Sequence, residues 1–288
     1  MLCLLSILSL LAAICCPVAA APANGADLPP PGVELTYDRP LGQVAQYRMS
    51  LDARGEQKSL GERLPVRWKA QFEFVEEVVA KGTDGTLWLR VRARLLDVTD
   101  SAGTLAGGMP PRWPAVQVRL NPRGELIDVS AATGEPDPGP RERGLMALMV
   151  QPGAVVLPAR RVQVGEEWTY ECGRIRQTSR LLSVTTSGGD EVARIVSSGS
   201  SPLALDESSP ALGLTTHLTG RVQQESQIDL LLAGGLVARH AGEMHLEAKS
   251  EAALDLPDGL APFEMETDLR VAFDVQLATI DGQPVEPR

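Results

Sequence analysis

The stretch "VRWKAQFEF", residues 66 to 74, decides the fold. Val66, Trp68, Ala70, Phe72 and Phe74 fall on one side of an extended chain, and Arg67, Lys69, Gln71 and Glu73 on the other. Successive side chains of a strand point to opposite faces, so alternation with this contrast specifies a half-buried antiparallel strand. After the turn "AKGTDG" the alternation resumes in "LWLRVRARL", residues 87 to 95. There Leu87, Leu89, Val91, Ala93 and Leu95 oppose Trp88, Arg90, Arg92 and Arg94. Two such runs around a Gly/Asp turn predict a hairpin.

The same pattern extends in both directions. "VQVRL" (116–120) and "ELIDV" (125–129) flank the turn "NPRG", and "RLLSV" and "EVARIV" flank "TTSGGD". "GRVQQESQIDLLL" and "GLVARHAGEMHLEAKSEA" meet at Ala233-Gly234, and the alternation places Leu236, Ala238, His240, Gly242, Met244, Leu246 and Ala248 on one face. Near the end, Met265, Thr267, Leu269, Val271, Phe273, Val275 and Leu277 alternate with Glu266, Asp268, Arg270, Ala272, Asp274 and Gln276. The template gives roughly ten to twelve strands. The predicted class is all-β, with long antiparallel strands in a curved sheet or half-barrel, or in a sandwich.

One segment departs from the strand pattern. In "GPRERGLMALMVQPG", Leu145, Met146, Leu148, Met149 and Val150 sit at helical spacing behind a charged start, and Pro152-Gly153 ends the run. A short helix over 139–153 is expected, joining a first β half (33–138) to a second (154–284). "LGQVAQYRM" (41–49) and "VGEEWTYEC" (164–172) share an apolar residue, a Gly, and a Tyr five positions on, so each is read as the start of one half.

The N-terminus reads as a leader. Leu2 to Val18 is almost wholly apolar and small residues follow, which predicts a secretory signal peptide over 1–23, cut after Ala20 or Ala23, and an exported, periplasmic or extracellular, protein. The Pro/Gly/Ala-rich residues up to 32 are expected to form a disordered tether. Ile14 before Cys15, and Cys15 before Cys16, depart from a lipid-attachment box, so free export is expected in preference to a lipid anchor. No later apolar run approaches the ~18 residues of a membrane span, so no transmembrane segment is expected in the mature chain.

With the leader removed, Cys172 is the remaining cysteine, and stability must come from a core that about 265 residues are enough to build. A net charge of −10 leaves no basic excess for a phosphate backbone, which excludes nucleic acid as a partner.

The densest cluster of unusual residues is "VQVGEEWTYECG", 162 to 173. Glu166 and Glu167 are adjacent, so a strand sends them to opposite faces and they cannot act as a catalytic pair. Trp168, Tyr170 and Cys172 share one face, and nothing nearby supplies a base to activate the thiol. Gly165, Trp168, Tyr170 and Cys172 are therefore read as a structural motif. His240 and His245 in "HAGEMH" lie five apart on opposite faces, and Glu243, His245 and Glu247 are read as a solvated charged strand. "SPLALDESSP" (201–210) holds Ser and Asp in a predicted loop without a nucleophile elbow. No catalytic, cofactor-binding or metal-ligating residue is assigned.

"VVLPARRVQVGEEWTYE" resembles the mid-chain signature of an uncharacterised family of bacterial exported β-proteins and lipoproteins, with Val164, Gly165, Glu166 and Trp168 as the matching positions. "LNPRGELIDVS" is similar to the hairpin that this family places before its short helix. The resemblance covers Val116 to Glu171 and implies no catalytic residue. In architecture alone the chain is similar to the half-barrel carriers that ferry lipoproteins across the periplasm. Each long strand has an apolar face that one short helix cannot cover, so these faces must meet one another or line a concavity. The expectation is a non-catalytic envelope protein that needs no cofactor and holds a lipid or other apolar ligand in a β cavity. The second reading is an interaction module for another envelope protein, and the third is a hydrolase.

Overall fold

A computed structural model describes residues 32–59, 61–100, 112–137, 155–172, 175–187, 189–209, 214–256 and 259–285. The expected leader, most of the tether and the expected helix over 139–153 lie outside the described residues. Among the described residues there are twelve strands: β1 (Val44–Ser59), β2 (Glu62–Lys81), β3 (Leu87–Asp100), β4 (Val116–Leu120), β5 (Leu126–Ala131), β6 (Glu167–Cys172), β7 (Ile175–Ser187), β8 (Asp190–Ser209), β9 (Leu214–Leu231), β10 (Leu236–Leu256), β11 (Gly259–Ile280) and β12 (Gln283–Pro284). All belong to one open antiparallel sheet, curved like a half-barrel, and not to the two sheets of a sandwich.

The order across the sheet is β5-β4-β3-β2-β1-β11-β10-β9-β8-β7-β6, with the short β12 beside β11. Two successive meanders, β1–β5 and β6–β11, thus run outward from a central seam where the first strand pairs with the last long one, from Ala45↔Ile280 to Ser59↔Met265. β5 and β6 are the free edges. The predicted hairpins β2–β3, β4–β5, β7–β8 and β9–β10 all form.

Alternation held along β11, where the residues at 265, 267, 269, 271, 273, 275 and 277 are buried and those between them face out. It failed at the start of β10. A bulge between Val237 and Arg239 inserts one residue opposite β9, so Val237, not Leu236, shares the inner face with His240. The predicted loop over 201–210 is also corrected, because β8 runs through it to Ser209. Pro202 lies past the last β7 partner, Arg176 opposite Ser200, so among the described residues β8 is paired at Pro202 on its β9 side alone. Pro65 in β2 lies likewise beyond the end of β3, at a level where β2 is paired on its β1 side.

Curvature has a local cause. A Cβ on Gly220 would lie 2.2 Å from the Glu247 carbonyl oxygen, and one on Gly242 would lie 2.2 Å from that of Glu225. At these two inner positions β9 and β10 approach too closely for any side chain, which folds the sheet inward. The inner face then buries one contiguous core, from Tyr47, Phe72, Phe74 and Leu89 in the first meander to Leu181, Ile195, Ile228 and Leu269 in the second. The outer face is a lattice of cross-strand ion pairs, among them Arg194–Asp229 at 2.8 Å and Arg239–Asp274 at 2.9 Å.

Candidate functional site

The motif Gly165, Trp168, Tyr170, Cys172 sits at the β6 edge. Gln163-Val164-Gly165-Glu166 forms a turn with a Glu166 N–H to Gln163 carbonyl bond of 3.0 Å, and Gly165 adopts φ +89°. That conformation favours glycine at the third position of a type II turn. Glu166 accepts the Gln163 N–H at 2.8 Å and pairs with Arg160, and these contacts hold its carboxyl below the ordinary range. Glu167 points outward on β6, so the two acids are divided. Trp168 and Cys172 are buried and Tyr170 is half-buried on the same face.

Trp168 has a specific task. Its indole N–H donates to the Val156 carbonyl at 2.8 Å, while the Val156 N–H donates to Gln177 Oε1 at 3.0 Å. On the other side the Leu157 N–H reaches the Arg123 carbonyl at 2.8 Å, in the β4–β5 turn. Val155–Leu157 therefore stitches one free edge of the sheet to the other. Tyr37 adds to this base, donating its hydroxyl to the Val155 carbonyl at 2.9 Å.

Also at the base is a pair that alternation alone did not single out. Arg39 and Glu76 are both 0% exposed and lie 2.5 Å apart, and Arg39 Nε also donates to Gln43 Oε1 at 3.0 Å. Glu76 continues the inner-face series of Trp68, Ala70, Phe72 and Phe74, so an acid at that parity was the available signal. Tyr47 stacks on Phe74 with centroids 5.0 Å apart, and burial pushes its hydroxyl well above the ordinary range.

Above the base the two flanks of the concave face differ. One cross-strand row reads Ser179, Ser197, Ser226 and Gly242 over β7 to β10, then Phe273, Leu51 and Ala70 over β11, β1 and β2. The row above reads Gln177, Gly199, Gln224 and Met244, then Val271, Ala53 and Trp68. Strands β7 to β10 thus present mainly hydroxyls, amides and glycines where β11, β1 and β2 present aromatic and aliphatic groups. Gln177, Gly199, Gln224, Gly242 and Met244 are half-buried, so this part of the concavity is reachable from outside.

Among the described residues, four buried polar atoms on the inner face have no hydrogen-bond partner: Tyr47 Oη, Trp68 Nε1, Ser226 Oγ and His240 Nε2. Such atoms cost about 1–3 kcal/mol each when left unsatisfied. His240 packs edge-on against Phe273 with centroids 4.8 Å apart, and burial lowers its pKa to about 4, so it is neutral at physiological pH. Neither Ser226 nor His240 is within hydrogen-bonding reach of the other, and no proton-relay pair forms. His245 instead lies on the outer face, 2.8 Å from Asp268. No group of three or more His, Cys, Asp and Glu side chains is placed to hold a metal ion among the described residues.

No family model and no curated protein matches the chain, so the family resemblance rests on its motif. Among solved structures, the chain is similar to one described as lipid–protein interactions in lipovitellin, at 12% identity and TM-score 0.38 over 86% of this chain and 26% of that one. The chain thus spans about a quarter of that protein's length. It is also similar to an outer membrane channel from Pseudomonas putida F1, at 8% identity and TM-score 0.24 over 88% of this chain and 100% of that one. A DUF1329 family protein from Desulfovibrio piger matches at 8% identity and TM-score 0.14 over 88% of this chain and 89% of that one. Scores this low say nothing of what the present chain binds.

Proposed function

We propose that this is an exported, non-catalytic protein of the cell envelope whose concave face binds an amphiphile, an apolar chain carrying a polar end. The observation that supports this most is the contrast between the flanks: an apolar wall of Trp68, Leu51 and Phe273 beside a wall of Ser, Gln and His in which Ser226 Oγ and His240 Nε2 lack partners. An amphiphile suits both walls at once, because its chain removes apolar surface from water and its polar end satisfies the orphaned atoms. The apolar leader supports export.

Native mass spectrometry of protein purified from its source, before and after organic extraction, tests the reading. The expected result is a lipid-sized adduct that extraction removes; absence of an adduct, together with no uptake of an acyl-chain fluorophore by the extracted protein, refutes it. Sequencing the mature N-terminus tests export, with a start after Ala20 or Ala23 expected.

The convex face supports a second reading. An open groove of about 560 Å³ crosses it between Lys58, Arg63, Arg221, Glu247, Lys249 and Asp268. Docking of another envelope protein there would be weakened by high salt, because exposed charges are screened. Crosslinking in cells from a photoreactive residue at Arg221 checks it.

A further inference from the structure

Resting on the amphiphile reading, we infer that the polar end of the ligand is uncharged, an ester or hydroxyl group recognised by His240 and Ser226. The two side chains lie on neighbouring strands of the inner face. His240 pairs with Ile228, two residues from Ser226, and the partner of Ser226 is Gly242, over which Ser226 packs so closely that a Cβ there would lie 2.8 Å from its own. His240 is 7% exposed and Ser226 is 9% exposed, and His240 Nε2 and Ser226 Oγ are both without partners. Half-buried Gly242, Gln224 and Met244 adjoin them on the concave face.

The charge environment selects the ligand class. The row of His240 runs Leu181, Ile195, Ile228, His240, Val275, Met49 on its way to Phe72, and from β7 to β2 neither it nor the two rows above holds an Asp, Glu, Lys or Arg; Asp100 lies beyond that span, opposite Trp68 on β3. The charges facing His240 through the sheet are on the convex side, where Asp274 is taken by Arg239. The buried pair at the base is mutually satisfied. A carboxylate or phosphate at His240 would lose its hydration and find no cation. An ester carbonyl or a hydroxyl loses far less and can bond both orphaned atoms. The ligand class is therefore acylglycerol or long-chain alcohol, as against fatty acid or phospholipid.

The test uses extracted full-length protein at pH 8, titrated separately with monoolein and oleate below their aggregation thresholds and followed by tryptophan fluorescence. Monoolein is expected to bind at least about tenfold more tightly than oleate. Ser226→Ala and His240→Phe are each expected to weaken monoolein roughly tenfold and to leave oleate unchanged. Oleate binding as tightly as monoolein overturns this inference and leaves the amphiphile reading standing. Failure of both probes to bind the wild-type protein overturns the amphiphile reading as well. Because the main comparison is made on the wild-type chain, it survives any loss of stability in the variants.

Discussion

The turn that precedes β1 and the turn that precedes β6 make the same bonds in different places. In the first, Gln43 N–H bonds the Pro40 carbonyl at 3.2 Å, Gly42 N–H the Val78 carbonyl at 2.9 Å, and Val78 N–H the Gln43 carbonyl at 3.0 Å. In the second the equivalents are Glu166 to Gln163 at 3.0 Å, Gly165 to Leu181 at 2.7 Å, and Leu181 to Glu166 at 3.1 Å. Gly42 and Gly165 have φ +81° and +89°. Yet β1 is held on both sides, by β2 and β11, whereas β6 is an edge held by β7. The local device is repeated, and the anchoring differs: a buried Arg39–Glu76 pair secures the first turn, while an exposed Arg160–Glu166 pair and the Trp168 stitch secure the second.

The largest expected effects come from removing those anchors. Arg39→Met should cost about 3–5 kcal/mol because it strands a buried carboxylate, and adding Glu76→Leu should recover most of it. Trp168→Ala should cost a similar ~3–5 kcal/mol, and Trp168→Phe, which keeps the ring volume better and loses the bond to Val156, only about 1–2 kcal/mol. Urea unfolding of the four variants measures both. A loss below about 1 kcal/mol for Trp168→Ala would show that the edges hold together without the stitch.

The flanks can be compared through His240, which lies in the same cross-strand row as Phe72. Its folded pKa of about 4 is below the ordinary 6.5, so between these values the unfolded chain binds the extra proton. Its contribution to stability is complete above pH 6.5 and is lost as the pH falls through that window, by about 3 kcal/mol at pH 4 and below. Subtracting the stability profile of His240→Phe from that of the wild type should isolate this slope. A flat difference would place the imidazole in contact with water.

Gly42→Ala and Gly165→Ala should each cost about 1–2 kcal/mol, and equally, because a Cβ at either position meets nothing within 4 Å and only the left-handed backbone is penalised. Unequal losses would mean that central or edge placement changes what the turn tolerates. The smallest effect is expected for Arg160→Met, below about 1 kcal/mol, since its ion pair is exposed and screened. Thermal unfolding at low and high salt checks it.

The strands were legible where one face is apolar and the other charged, as in Val66–Phe74 and along β11, because alternation is a local property. The bulge in β10 was not, since nothing in "GLVARHAG" marks the extra residue. The central seam was not legible either, because pairing Ala45 with Ile280 leaves no trace in either strand. Of the candidate site, His240 was assigned correctly to the apolar face, but its missing partner depends on its neighbours across β9 and β11. Ser179, Ser197 and Ser226 gave weak alternation because a hydroxyl on the inner face lowers the very contrast that the pattern measures. Arg39 lies outside any strand and meets Glu76 only through the folded base.

The seam between β1 and β11 also sets an order of assembly. The middle of the sheet is built from the first and the last long strands to be synthesised, so each meander can pair internally while the centre waits for the chain to be nearly finished. Closing a loop of that length carries an entropic cost that local hairpins avoid, and such non-local pairing is slow. Until it happens, β1 and β11 both present bare edges with apolar faces, the arrangement most prone to pairing with another chain. The stretch of sheet that ends as the best protected begins as the most vulnerable.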